Sequence, residues 1–346
     1  MIDFRYHLVS IVAVFLALAI GIVLGSTALQ GSTIDGLRAL SDSQRSQLSG
    51  VQSHLNAADQ AKSADESFLQ VASAKLLAGM LSGEKVVLVT EPGAPSSVID
   101  GIQKAAGESG AAITGTVALQ PKFNDMSGTT KSSLSQLNGL ASSYGIQLDP
   151  AVDAGTAYEQ DAAQVIAATV LQSSGLAAAD AQTLLKGYAQ GGYLDFTGTP
   201  AADPADRATL AIIVTAAAAS TDGTNNPADE ILLAVAGQFA SASGATVVAG
   251  PVMTASLSTS PISVLRNSGV SGQVSSVDNA DTLTGQISTI WALADQLQGA
   301  KPNSYGVSGA NAVSPVPSPV PSATETPSVP PTPKGAGKVK KTVNTT

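Results

Sequence analysis

Two pairs of aspartates have a spacing that could support chemistry. Asp203 and Asp206 lie in the segment PAADPAD. Asp278 and Asp281 lie in VDNAD. Paired carboxylates bind divalent cations or serve as a general acid and base. Each pair also has a structural interpretation, because Asp281 directly precedes a predicted helix that it could cap, and Asp203 followed by proline is typical of a turn. We favour the structural roles and leave the metal ligands unassigned.

The residues that other kinds of catalysis require are missing from this chain or lie outside the predicted folded domain. The chain has no cysteine, which excludes disulfides, thiolate metal sites and cysteine nucleophiles. Its two histidines, His7 and His54, lie outside the predicted folded domain, so a Ser-His-Asp triad has no base there. Nucleotide-binding loops and a GxSxG elbow are absent. A catalytic serine–lysine pair has no fixed sequence motif, so the sequence does not exclude one. The sequence therefore predicts a protein that is not an enzyme, with no catalytic residues and no cofactor.

The net charge of the chain indicates which classes of partner it can bind. The formal net charge is -9, and only 12% of the residues are charged. A nucleic-acid-binding protein needs a basic face to neutralise phosphates. We therefore predict that nucleic acid is not a partner.

Residues 84–300 alternate short apolar segments with helical patterns. The first segment, Lys85–Thr90 (KVVLVT), is rich in β-branched residues and ends at a Pro-Gly turn, which predicts a buried strand. Such alternation predicts an α/β domain with a mainly parallel sheet flanked by helices. Further strands are predicted at 111–119, 193–197, 210–215, 245–249 and 272–277, and helices at 95–107, 129–143, 157–174, 178–190, 227–243, 261–268 and 282–298.

An uncharged apolar segment covers residues 8–29, which is long enough to cross a bilayer as a helix. The alternative is a secretory signal peptide, but the apolar core of a signal peptide is shorter and follows a basic stretch. We predict an uncleaved single span. Arg5 in the short N-terminal part favours a cytoplasmic segment 1–7 and an extracytoplasmic C-terminal domain.

Small residues recur every four positions within this span, at Ala13, Ala17, Gly21 and Gly25. Such a stripe lets two membrane helices approach closely, which predicts helix packing and self-association. The alternative is that alanine and glycine are simply frequent in this chain.

Residues 30–83 contain no proline and carry a seven-residue repeat of apolar side chains. The repeat predicts a helical coiled-coil stalk and a parallel homodimer. Lys62 and Asp65 interrupt the seam, and a long amphipathic helix folded onto the domain is the alternative. The seam residues are Ile34, Leu37, Leu48, Val51, Leu55, Leu69 and Leu76.

The composition changes again in residues 301–346. Nine of the chain's 18 prolines lie between Pro302 and Pro333, and the segment KGAGKVKKTVNTT that follows is basic. This composition predicts a disordered, proline-rich tail.

The opening MIDFRYHLVSIVAVFLALAIGIVLGS resembles the start of the MctB family, described as copper-transport or channel-forming outer-membrane proteins of mycobacteria. The segment VDNADTLTGQISTIWALADQLQG and the step Tyr305-Gly306 are also similar, so the resemblance covers about residues 1–306. It implies an actinobacterial envelope protein linked to copper homeostasis. Related SteB-like members are described as acting in envelope integrity and division with a SteA-like membrane partner.

The resemblance and the residues lead to different functions. Copper(I) prefers thiolate or thioether ligands and copper(II) prefers imidazole, and this chain is poor in all three. One hypothesis is a membrane-anchored dimeric scaffold with a non-catalytic external domain. A second is the copper efflux channel that the resemblance implies, or the SteB-like envelope role. A third is a domain that binds an envelope sugar or nucleotide without turnover.

Overall fold

The computed structural model describes residues 4–125, 127–148, 157–198, 201–217, 227–252 and 260–308, without the side chains of 27–34 and 157. The contacts divide the chain into two units, Met1–Phe68 and Leu69–Thr346. The predicted tail falls almost wholly on residues 309–346, which lie outside the described residues.

One helix, α1, runs from Phe4 to Leu77. No proline or other strong breaker occurs in this stretch, so nothing in the local sequence stops the helix. The predicted boundary between span and stalk, at residues 29 and 30, therefore lies inside a continuous helix. The helix ends before Gly79, whose positive φ of 78° turns the chain out of the helical path.

The last two turns of α1 belong to the domain. Ser73 and Leu77 are buried, and Leu69 is partly buried against a hydrophobic cluster of the domain. Leu76 remains 38% exposed. Leu69, which the heptad pattern places in the dimer seam, thus packs within its own chain.

The domain alternates strands and helices as predicted, with most boundaries within one or two residues. The strands are β1 (Lys85–Thr90), β2 (Ala112–Leu119), β3 (Leu194–Gly198), β4 (Leu210–Val214), β5 (Ala245–Ala249), β6 (Ser275–Val277) and β7 (Ser304–Tyr305). The helices are α2 (Ser96–Glu108), α3 (Gly128–Ser143), α4 (Ala157–Val170), α5 (Ala178–Gln190), α6 (Pro227–Ala242), α7 (Pro261–Arg266) and α8 (Leu283–Leu297).

Helix α4 ends four residues before the predicted limit of 174. Leu171 pairs with Ala208 in an isolated bridge, and the backbone N–H of Gln172 donates to the Ala208 carbonyl at 2.9 Å. This long-range pairing replaces the helical hydrogen bonds, which the local sequence could not reveal.

The seven strands form one sheet in the order β3-β2-β1-β4-β5-β6-β7. Every pair is parallel except β2 with β3, so the predicted mainly parallel sheet is confirmed. The chain builds outward from β1 on one side and from β4 on the other. Open sheets of this kind leave a crevice at the carboxyl ends of the two strands where the order reverses, and ligands often bind there.

Both faces of the sheet are buried, and the side chains alternate between two clusters. Val87 and Val89 of β1 join Ile213 on one face, while Leu88 joins Ile212 on the other. Helices α4 and α6 cover the first face, and α2 and α8 cover the second. Each fully buried aliphatic side chain contributes about 1.5–3 kcal/mol to the free energy of unfolding.

The sheet continues past residue 300, the predicted end of the domain. Asp278, after β6, accepts hydrogen bonds from the backbone N–H groups of Val307 and Ser308, at 2.7 and 2.9 Å. Arg266 pairs with Asp278 at 2.8 Å and also donates to the Tyr305 carbonyl at 2.7 Å. These contacts fasten β7 and the residues after it to the sheet.

The Arg266–Asp278 pair gives a first prediction. Replacing Arg266 with methionine leaves the Asp278 carboxylate buried without its cation, which typically costs about 3 kcal/mol. We expect Arg266→Met to lower the free energy of unfolding by about this amount. The measurement is urea unfolding of the full chain in detergent micelles, followed by the fluorescence of Trp291, the single tryptophan.

Lys104→Met is the matched control, because it breaks the Lys104–Glu108 pair, whose lysine side chain is 54% exposed. Exposed pairs of this kind contribute about 0–1 kcal/mol. Equal losses in the two variants would contradict a special role for Arg266.

Candidate functional site

The first predicted acidic pair makes local structural contacts. The Asp203 side chain accepts from the backbone N–H of Ala205 at 2.9 Å and caps a short 3₁₀ helix, Pro204–Asp206. Asp206 pairs with Lys85 at 2.7 Å. Each carboxylate thus has a structural partner within the chain.

The second pair is also used structurally, although not as expected. Asp278 holds the end of the sheet, and Asp281 accepts from the backbone N–H of Val252 at 2.7 Å. The N-cap of α8 is Thr282, whose hydroxyl accepts from Gly285 N–H at 3.1 Å, so the predicted capping by Asp281 was wrong. Among the described residues, histidine, aspartate and glutamate side chains form no group of three able to hold a metal ion.

The predicted association residues all lie on α1. Within the span, a Cβ added at Gly21 or Gly25 would meet no atom of another described residue within 4 Å, so these residues leave this side of the helix open. Further along, Leu37, Leu48 and Val51 are exposed, and so is Leu55. The side chain of Ile34 lies outside the described residues. The four described side chains are thus each more than half exposed.

A different group of side chains gathers at the carboxyl edge of the sheet, beside the reversal of strand order. Glu91 directly follows β1, Thr215 directly follows β4, and Asp229 lies in the first turn of α6. All three are buried. The sequence signal for this group was a polar residue at the end of an apolar strand, and only the strand order shows that two such ends are neighbours.

Glu91 is held in an apolar environment. Its Oε2 accepts a hydrogen bond from the backbone N–H of Ala216 at 2.9 Å. Burial raises the pKa of the Glu91 carboxyl from its ordinary 4.5 to about 7; the Ala216 bond opposes this rise, and the negative charge of Asp229 adds to it. Such a carboxyl changes its charge near neutral pH.

Two features lie at the opposite edge of the sheet. Arg207 is 1% exposed and donates to the Leu176 carbonyl, and burial lowers the pKa of its guanidinium. Beyond Leu176, a cavity of about 450 Å³ opens between α3, α4, α5 and α6. Hydroxyl, carboxamide and apolar groups line it with Asp180, and none of the described lining residues is basic.

The structure thus defines a class of protein: an α/β domain joined to a long N-terminal helix, of which Phe4–Ser26 is apolar enough to cross a membrane. The profile of the family described as copper transport outer membrane protein, MctB, matches residues 1–317. The chain therefore belongs to the MctB family.

Two relatives match most of this chain. The copper transporter MctB of Mycobacterium tuberculosis (strain ATCC 25618 / H37Rv) is 29% identical over 316 residues, which cover 88% of this chain and 96% of the relative. The copper transporter MctB of Mycobacterium leprae (strain TN) is 29% identical over 314 residues, which cover 89% of this chain and 96% of the relative. The family and the apolar helix together support a copper-related membrane protein.

Glu91 gives a second prediction. Because the folded state holds the Glu91 proton up to about pH 7, whereas the unfolded chain releases it near 4.5, the contribution of Glu91 to stability falls as the pH rises through this interval. The full loss is about 3 kcal/mol. Glu91→Gln keeps an acceptor for Ala216 N–H and removes the titration.

We therefore expect the free energy of unfolding of Glu91→Gln, relative to that of the natural chain, to rise by about 3 kcal/mol between about pH 5 and about pH 8. Urea unfolding followed by Trp291 fluorescence, in buffers that contain a chelator, measures it. Glu230→Gln is the control, because it removes an exposed carboxylate from the first turn of α6, next to Asp229. An advantage of Glu91→Gln that is independent of pH would show that Glu91 is ionised throughout.

Proposed function

We propose that the chain is a membrane-anchored, dimeric scaffold that takes part in copper handling by binding other envelope proteins. In this proposal α1 anchors the protein and pairs with α1 of a second copy. The α/β domain is then held outside the membrane, with residues 1–7 in the cytoplasm. The single observation that carries the proposal is the continuous helix from Phe4 to Leu77, which joins the apolar span to the domain core.

The exposed side chains of α1 support pairing with a second copy. Leu48, Val51 and Leu55 follow the 3-4 spacing of a coiled-coil seam and are 69%, 57% and 54% exposed. Leu37 lies in register with them and is 66% exposed. A helix of this length in water gains little from exposed leucines, and a partner helix would bury them. The open face at Gly21 and Gly25 would allow the same two helices to approach within the bilayer.

The side chains that copper prefers are few in this chain. The chain has no cysteine, two histidines and four methionines. His54 is exposed on α1, and Met80 is partly buried against the domain core. The name of the relatives suggests a role in copper transport, and for this chain we propose that the role is indirect. The partner would be another membrane protein, as the SteA-like partner of SteB-like proteins is.

The dimer gives a third prediction. In Leu48→Asp/Leu55→Asp, two carboxylates per helix would enter the seam, where their desolvation opposes pairing. We expect the natural full chain to be a dimer in density-matched detergent and this variant to be a monomer, as measured by sedimentation equilibrium. Ser46→Asp/Ser53→Asp adds the same charge on the opposite side of the heptad and should remain dimeric.

A monomeric natural chain, or a dimer that survives in Leu48→Asp/Leu55→Asp, would contradict the proposed seam. In the second case, a stripe variant such as Gly21→Leu/Gly25→Leu would test whether the span holds the two copies together.

Copper handling gives a fourth prediction. In a strain that lacks the gene, we expect the natural chain to restore copper tolerance, Leu48→Asp/Leu55→Asp to fail and Ser46→Asp/Ser53→Asp to succeed. The purified full chain should hold no stoichiometric copper after dialysis against a weak competing chelator. Tightly bound copper, or copper conductance by the purified protein in liposomes, would instead favour the transporter itself. An altered cell shape with unchanged copper tolerance would favour the SteB-like envelope role.

A further inference from the structure

We propose that Glu91, Thr215 and Asp229 form a binding site for one hydrated divalent cation of the magnesium or manganese kind. The site lies at the carboxyl edge of the sheet, where β1 and β4 meet and the strand order reverses. It is independent of the helix pairing and of any role in copper handling.

The topology brings the three side chains to one place. Thr90 of β1 and Val214 of β4 are the last paired residues of the two strands, so Glu91 and Thr215 follow them side by side. Because side chains alternate along a strand, Glu91 leaves the sheet on the face of Val89, and Thr215 leaves it on the face of Ile213. Val89 and Ile213 belong to the same hydrophobic cluster, so the two polar side chains point to the same side.

The Asp229 carboxylate reaches this side from the helix that covers it. Its neighbours on α6, Ile231 and Leu232, belong to the same cluster, and its negative charge acts on Glu91. Two buried carboxylates at one place repel each other, and a shared cation converts that repulsion into attraction.

A neutral oxygen of the site supplies a second and independent observation. Thr215 is 1% exposed, and its Oγ1 has no hydrogen-bond partner among the residues that the structure describes. A buried hydroxyl without a partner costs free energy, which a ligand would recover. Gly250 lies beside it: a Cβ there would come within 2.5 Å of Thr215 Oγ1, so the absence of a side chain at Gly250 lets the hydroxyl occupy this position.

The ligand chemistry selects the kind of cation. All three candidate ligands are oxygen atoms, which suit magnesium, manganese and calcium. Two carboxylates and a hydroxyl do not enclose an ion, and the described residues offer no group of three carboxylate or histidine ligands. A cation that keeps several water molecules and binds through one or two carboxylates fits this arrangement, as Mg²⁺ does and as Mn²⁺ can imitate.

The test is Mn²⁺ binding by the full chain in detergent micelles at alkaline pH, in which the free ion is measured by electron paramagnetic resonance. We expect one saturable Mn²⁺ per chain, displaced by Mg²⁺. Glu91→Gln and Asp229→Asn should each weaken binding about tenfold or more. Asp206→Asn is the matched control, because it removes an equal charge from an exposed carboxylate; it should leave binding unchanged.

Circular dichroism checks that each variant is folded. If either carboxylate variant fails to fold, the pair Thr215→Val and Thr215→Ser decides, since only serine keeps the hydroxyl. Weaker binding by Thr215→Val than by Thr215→Ser supports the site, and equal binding overturns it. The proposal is also overturned if the natural chain binds no Mn²⁺ at millimolar concentration, or if Asp206→Asn weakens binding as much as Glu91→Gln.

Discussion

The burial of both faces of the sheet is the constraint on which the domain depends. Strands that are covered on two sides must be apolar at nearly every position, as β1 and β4 are. No carboxylate therefore occurs within β1 or β4. Glu91, Thr215 and Asp278 all stand immediately after a strand, so they lie together with the carboxyl ends of the parallel strands at one edge of the sheet.

The two carboxylates at that edge, Asp278 and Glu91, have different partners. Asp278 is matched by Arg266 and by backbone N–H groups, and the result is a firm end to the sheet. Glu91 accepts one backbone hydrogen bond and has no cationic partner in the described part of the chain, and burial raises the pKa of its carboxyl to about 7. A matched buried charge favours one structure, whereas an unmatched one leaves a group that still responds to protons or cations.

The helix α1 belongs to two environments. Its first part is apolar on all sides, which suits a bilayer, and its last turns are amphipathic and bury Ser73 and Leu77 in the domain. Between them lie the exposed leucines that we propose to pair in a dimer. Membership in the MctB family links the chain to copper, but the soft ligands that copper prefers are scarce, which is why we propose an indirect role.

The sequence by itself determined the apolar span, the absence of cysteine chemistry and the strands from KVVLVT to ATVVA, because composition and periodicity are local properties of the chain. It also indicated that the aspartate pairs are structural. Only the tertiary structure decided that Leu69 packs on its own domain, that Thr282 rather than Asp281 caps α8, and that β3 runs antiparallel. It alone placed Glu91 beside Thr215, which lies more than a hundred residues away, since strand order depends on long-range packing that no local pattern records.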